Sequence, residues 1–369
     1  MFYIMTTHKI SNSLSARTIN FITRCYKTFY EGTMSCGTCG NRRFTLLAPQ
    51  GRYSIVRCAH CRTITAFPVP TKEELARFYA QFAYNQSARQ FDREKKDLAA
   101  YAIAAQLGVA ERILGRKLSG RFLDVGCGNG FYLYGAKKLG FECYGTDLDE
   151  ASVAYARSNF GAEVKKGLLE EAHFADGYFD CIHMRQVLEH VRFPRQDIRI
   201  LYQWLKPGGV LIVSVPNTKS IEPFIKLYFL DTFKKLNVDM PGMSFVRKVF
   251  LSLGRPWGFV DPPRHLHGFD RHTLGLLLEN EGFKVRKIAF GATGNKVYYP
   301  IGAQERSTMR ENDRQALERL RERSKVLYAA FFIFFVPLQS LLRGYAHCAG
   351  KGAHLVVYAQ KPESTDGHR

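Results

Sequence analysis

The stretch Phe122-Leu-Asp124-Val-Gly126-Cys-Gly128-Asn-Gly130 closes a strand-like run and opens a helix-like one. Glycines at such a junction let the backbone pass close under a ligand with its amides facing it. Asp147 ends the next strand-like run, 19 residues beyond Gly128, where a carboxylate can bind both hydroxyls of a ribose. A dinucleotide fingerprint would need a third glycine at position 131, and that residue is Phe131. The glycines fall instead as G-x-G-x-G, with an acid two residues ahead.

Outward from this loop the chain alternates regularly. Strand-like runs at 121–125, 142–146, 163–165, 179–184 and 210–215 are separated by helix-like runs at 131–139, 150–159 and 193–205. The turn Lys206-Pro-Gly-Gly209 leads into the last of these strands. After an irregular stretch the rhythm resumes with a helix at 271–281 and strands at 284–290 and 353–359. Such alternation predicts a doubly wound α/β sheet covered on both faces. Helical spacing over 73–84 and 91–118 precedes it.

The expected organisation is a basic extension over 1–33, a small module over 34–66, and a linker with helices over 67–118. A catalytic domain over 119–303 follows, interrupted at 218–262. A helical insertion over 304–350 and a final strand and tail over 351–369 complete the chain. Residues 1–33 read either as a tail, as sequence upstream of a start at Met34, or as a transit peptide.

Cys36-x2-Cys39 and Cys58-x2-Cys61 have zinc-ribbon spacing. Four thiolates complete a tetrahedral shell with no open position, so the expected Zn2+ is structural. Chance pairs of cysteines and a redox C-x-x-C are the alternatives; the latter needs one pair and a thioredoxin-like context. Nine cysteines without an apolar leader fit a reducing cytoplasm.

The 369 residues carry 53 Lys+Arg against 33 Asp+Glu, a net charge of +20. Residues 1–62 hold 9 basic and 1 acidic residue, 119–218 hold 11 and 12, and 219–369 hold 24 and 14. Positive charge therefore flanks a near-neutral middle, which points to polyanionic partners. The 46% hydrophobic, 23% charged composition excludes a wholly disordered or polytopic membrane chain.

Taken together, the glycine loop, Gly145-Thr-Asp147, Phe179-Asp180, Leu188-Glu189-His190-Val191 and Leu205-Lys-Pro207-Gly208-Gly209 resemble the ordered motifs of class I S-adenosylmethionine-dependent methyltransferases. The resemblance runs from 121 to 217 and resumes at Pro263-Arg-His265 and Gly282-Phe283. With the four-cysteine module and the Phe78-Tyr79…Tyr84 segment, the chain is similar to bacterial members that methylate sugars or other small metabolites. The resemblance implies a Rossmann-like seven-stranded sheet with the last strand antiparallel, preceded by the zinc ribbon. It implies S-adenosyl-L-methionine as cofactor, with the loop of Gly126, Cys127, Gly128 and Gly130 under the methionyl part and Asp124 and Phe131 also among the cofactor-binding residues. Asp147 and Leu148 would take the ribose side, Gly167 and Leu168 the adenine, with Arg185 nearby. The family's Asp before Leu168 is absent, leaving the adenine contact to backbone groups.

Methyl transfer needs in-line geometry, and a hydroxyl or carbon acid must also lose a proton. His190, at the carboxyl edge of the sheet, is the candidate base, with Glu189 orienting it; helix capping is the alternative for both. His265 is a second catalytic candidate. Alternate spacing would put it on the same side as His267, and no third metal ligand is evident there.

The apolar run 326–342, holding Phe331-Phe-Ile-Phe-Phe335 after a basic helix, is too short to span a bilayer. It reads either as buried core or as a helix in an anionic membrane interface, which would place 304–350 on the inner membrane face of the cytoplasm. The expected acceptor is a small molecule, sugar or lipid-linked compound methylated on O or C. The competing expectation is a zinc-ribbon RNA methyltransferase; against nucleic acid, residues 185–188 lack the Asn/Asp-Pro-Pro-aromatic motif of amino-methylating enzymes.

Overall fold

The alternation from residue 121 onward folds into a single seven-stranded sheet in the computed structural model, which describes residues 29–30, 35–81, 93–220, 260–291 and 341–363 apart from 343 and 347. Its strands are β5 (Arg121–Val125), β6 (Glu142–Asp147), β7 (Glu163–Lys166), β8 (Phe179–Arg185), β9 (Leu205–Pro216), β11 (Lys284–Gly291) and β12 (His354–Gln360). They lie in the order β11-β12-β9-β8-β5-β6-β7. The last strand, β12, is inserted antiparallel between β9 and β11, and the pairings from β9 through β7 are parallel.

Helices α3 (Phe131–Lys138), α4 (Glu150–Phe160), α5 (Pro194–Trp204) and α6 (Arg271–Asn280) connect these strands. Two apolar layers result. Leu211, Val213 and Val215 of β9 join Ile182, Trp204 and Leu277 on one side, while Val210 and Ile212 join Phe122, Leu133 and Val153 on the other. A strand buried on both faces reads as a continuous apolar run, as this one does. The Lys206-Pro-Gly-Gly209 turn differs from expectation: it lies inside β9 as an irregularity, with Gly208 at φ +74 and pairing jumping from Phe179↔Leu205 to Cys181↔Val210.

The N-terminal module is a second sheet, all antiparallel. It comprises β1 (Phe29–Tyr30), β2 (Phe44–Gln50), β3 (Tyr53–Cys58) and β4 (Ile64–Phe67), so its first strand lies within the 1–33 extension. Its fifth strand comes from far downstream. Residues of β10 (His267–Gly268) pair with β4 through His267↔Thr65 and Gly268↔Ile64. Helices α1 (Lys72–Gln81) and α2 (Arg93–Leu114) join the two sheets. The module also rests on α5, where a Cβ at Gly37 would come within 3.2 Å of the Pro194 ring, and on α6, where Asn280 donates to the Thr38 carbonyl.

Most of both insertions, including residues 326–340 of the apolar run, lies outside the described residues. Leu341 and Tyr345, in a helical turn near the end of the second insertion, are exposed. Among the described residues, no helix is long and apolar enough to cross a membrane.

Candidate active site and metal centre

The glycine loop leaves β5 with its first two amides, Gly126 and Cys127, donating to the Thr146 carbonyl of β6. Gly126 sits at φ +68, and a Cβ there would come within 2.4 Å of Val187 Cγ2. Only glycine permits both the left-handed turn and this close approach. A Cβ on Gly128, by contrast, would meet nothing within 4 Å: the loop has open space above it. Asp147 Oδ2 accepts from the Gly128 amide at 2.7 Å and Oδ1 from Asp149 at 2.9 Å. A carboxylate has about four lone-pair positions, so two remain for a pair of ribose hydroxyls. Burial raises the Asp147 pKa above the ordinary value. The open loop and the half-used carboxylate fit the nucleoside end of S-adenosylmethionine.

The other expected cofactor residues are placed differently. The Phe131 ring packs edge-on against Tyr155 and Phe160 of α4, and the Cys127 thiol is buried beneath the loop, toward β6. Leu148, half-exposed, flanks the open space. The Leu168 amide, expected for adenine, donates instead to Glu171 Oε2 at 2.8 Å, while the Gly167 amide donates to the Asp147 carbonyl. Arg185 lies with its guanidinium over the Tyr132 ring.

Asp124 does not face the open space. Its Oδ1 pairs at 2.7 Å with Nδ1 of His183, which is fully buried and stands directly across from it in β8. His183 escaped the sequence reading. Its signal is a titratable residue in the middle of an apolar parallel strand, in register with the acid ahead of the glycines.

Beyond β8 the chain turns at Gln186, held at φ +55, and delivers Leu188-Glu189-His190 to the sheet edge. The Glu189 carbonyl accepts from the amides of Leu266 and His267, which brings the 260–268 loop against this motif. His190 Nδ1 donates to the Arg264 carbonyl at 2.9 Å and lies 3.0 Å from the Tyr79 hydroxyl. That donation fixes the tautomer and leaves Nε2 as an acceptor, 3.8 Å from Glu189 Oε1. The His265 ring stands 4.5 Å from that of His190, with its Nδ1 2.6 Å from Asp261 Oδ1. Glu189 is 1% exposed, and neither carboxylate oxygen has a hydrogen-bond partner among the described residues. Burial pushes its carboxyl up to about 8, against the pull of Arg185 and Arg264. Burial and the neighbouring His265 hold His190 down at about 4, so its ring is uncharged at neutral pH.

Glu189, His190 and His265 thus converge, and His267 does not join them. Its Nδ1 lies 3.0 Å from Thr65 Oγ1 and its Nε2 donates to the Val191 carbonyl, so it fastens the loop to the module instead. The pairing with β4 turns it away from the side expected from its spacing to His265.

In the module, one sulfur from each of Cys36, Cys39, Cys58 and Cys61 lies within 4.8 Å of the others, with Cys36–Cys61 at 3.5 Å and Cys39–Cys58 at 3.6 Å. A tetrahedral ion at about 2.3 Å from each sulfur needs sulfurs just under 4 Å apart, so the four thiols fit zinc. Phe44 and Val56 pack around them.

A family model described as a methyltransferase domain matches residues 88–288, more than half of the chain. A probable S-adenosylmethionine-dependent methyltransferase of Mycolicibacterium smegmatis is 32% identical over 116 residues, covering 31% of this chain and 44% of that protein. A ubiquinone biosynthesis O-methyltransferase of Azoarcus sp. is 36% identical over 103 residues, covering 26% and 44%. The chain therefore spans less than half the length of these relatives. Among solved structures, a SAM-dependent methyltransferase of Thermotoga maritima, titled a possible histamine N-methyltransferase, aligns at TM-score 0.42 and 18% identity over 77% of this chain and 98% of that one. The chain belongs to the methyltransferase-domain family and has the class I S-adenosylmethionine-dependent methyltransferase fold.

Proposed function

We propose that the protein transfers a methyl group from S-adenosylmethionine to an oxygen, or an acidic carbon, of a small or lipid-linked acceptor. The observation that carries this is the packing of Val187 on Gly126: the loop that would hold the cofactor and the Glu189–His190 motif are one continuous surface. When bound, the cofactor supplies an electrophilic methyl on a sulfonium. Asp147 would hold its ribose and the glycine loop would run under its methionyl part, which together would fix where that methyl points. Glu189, His190, His265 and Tyr79 surround the position an acceptor would occupy. As the acceptor oxygen forms its bond to carbon, the carbon–sulfur bond breaks, its electron pair stays on sulfur, and the acceptor proton passes to this group. The likeness to a ubiquinone biosynthesis O-methyltransferase over 103 residues supports an oxygen acceptor.

Cys36, Cys39, Cys58 and Cys61 are read as a structural zinc site: four thiolates leave no position for substrate, and the metal would hold the two knuckles against α5 and α6.

Radiolabelled S-adenosylmethionine offered with hydroxylated metabolites, sugar nucleotides, quinols and total RNA tests the acceptor class. Label is expected in a small acceptor, and Glu189→Gln and His190→Gln should each lower transfer on the order of 100-fold without weakening cofactor binding. Label in RNA alone would move the acceptor to nucleic acid.

A further inference from the structure

We propose that Glu189, His190 and His265 bind one divalent first-row transition-metal ion, distinct from the ion of the four-cysteine module. Each residue offers a ligand atom within 4.8 Å of the other two. Two imidazoles and one carboxylate form the donor set that suits zinc, iron, cobalt or manganese rather than magnesium or calcium, and three protein ligands leave positions open for a substrate oxygen.

Three features of the pocket favour a cation. The Glu189 carboxyl is buried with neither oxygen hydrogen-bonded among the described residues, so its ionised form, only partly offset by Arg185 and Arg264, gains from a cation placed directly on it. His190 commits its Nδ1 hydrogen to the Arg264 carbonyl, so Nε2 presents a lone pair toward Glu189. Nε2 and Glu189 Oε1 lie 3.8 Å apart, a spacing that one cation at about 2.0–2.2 Å from each can bridge once it displaces the Glu189 proton. Finally, both histidines have outer partners of the kind that orient metal ligands, a backbone carbonyl for His190 and the Asp261 carboxylate beside His265. His190 and Glu189 are adjacent in sequence, whereas His265 is brought in by the loop that the module holds, so the three meet only in the folded chain.

If the pocket is the acceptor site proposed above, the cation would coordinate the acceptor hydroxyl and lower its pKa, assisting proton loss without any redox change. That consequence rests on the proposed function; cation binding itself does not.

The test is titration of the full chain, its cysteine site already loaded with zinc, with Co2+. One further ion per chain is expected, giving visible absorption without the thiolate charge-transfer band that cysteine ligation produces. Glu189→Gln and His265→Gln should each weaken this binding about 100-fold, with zinc content, thermal unfolding and S-adenosylmethionine binding unchanged. No second ion, or a second ion whose affinity neither substitution changes, overturns the proposal. Should either variant unfold, Asp261→Asn, whose carboxylate lies against His265 without itself being a proposed ligand, is expected to weaken Co2+ binding about 10-fold, and an unchanged affinity overturns it too. Loss of cofactor binding with Co2+ binding intact would refute the methyltransferase assignment and leave the metal site standing.

Discussion

The Thr65 hydroxyl lies 3.0 Å from Nδ1 of His267, across the seam between the cysteine module and the catalytic sheet. Because Leu266 and His267 also donate to the Glu189 carbonyl, the module indirectly sets where His265 stands. Replacing Thr65 by Val should remove about 1 kcal/mol of stability and lower kcat while leaving S-adenosylmethionine affinity unchanged. Calorimetry and steady-state kinetics on the same preparation separate these effects; equal losses in affinity and kcat would point to general loosening.

Asp147→Ala should weaken cofactor binding at least about tenfold, since a carboxylate hydrogen bond contributes roughly 1.5–3 kcal/mol. Gly126→Ala should be more damaging, because it faces both a left-handed backbone and the Val187 methyl. Its expected signature is a lowered Tm as well as lost cofactor binding, measured by thermal unfolding and isothermal titration.

Removing the metal from the module should destabilise the catalytic domain too. Cys36→Ser is expected to abolish zinc binding and lower the Tm of the whole chain in one transition, because β10 completes the module's sheet. Metal analysis with differential scanning calorimetry decides this. A separate low-temperature transition with the main one unmoved would show that the two units unfold independently.

Burial, with Glu170 nearby, pushes Asp197 in the first turn of α5 up to about 7, from an ordinary 3.8. The folded state therefore holds this proton after the unfolded chain has released it. Stability falls as pH rises from about 4 to 7 and the penalty is constant above that. Asp197→Asn should gain about 1–2 kcal/mol at pH 8, less than the full shift implies because the side chain is partly exposed, and almost nothing at pH 4. Denaturant unfolding at the two pH values measures the difference.

His183→Phe should cost about 3 kcal/mol or more, because it leaves the buried Asp124 carboxylate without its hydrogen-bond partner, and Asp124→Asn, whose amide can still hydrogen-bond to the ring, should be better tolerated. Chemical denaturation of both variants and of the double variant tests the coupling.

The seven-stranded sheet was legible because its central strands are apolar on both faces and its helices have a different period, so the alternation from Arg121 to Val215 announces itself locally. The glycine loop and Asp147 were legible for a related reason: backbone geometry restricts residue type there. What sequence could not show depends on pairing between distant segments. His265 and His267 look equivalent two positions apart, yet one turns to Glu189 and the other to Thr65, decided by a strand register 202 residues long in sequence. Asp124 looked like a cofactor contact because its partner lies 59 residues away on a neighbouring strand. The Leu168 amide is a different case: Glu171, three residues on, reaches back to it as a capping acid does, but Leu rather than Ser or Thr at the cap position hides that local signature.

The late arrival of β10 also has a consequence for synthesis. The cysteine module emerges from the ribosome before the catalytic sheet, with the outer edge of β4 bare until residue 267 has been made. An uncovered strand edge is a template for pairing with another chain, and at roughly 5–20 residues per second the exposure lasts some tens of seconds. Nascent chains stalled between residues 70 and 260 are therefore where aggregation of this protein should begin, and a peptide spanning residues 260–270 supplied in trans should suppress it.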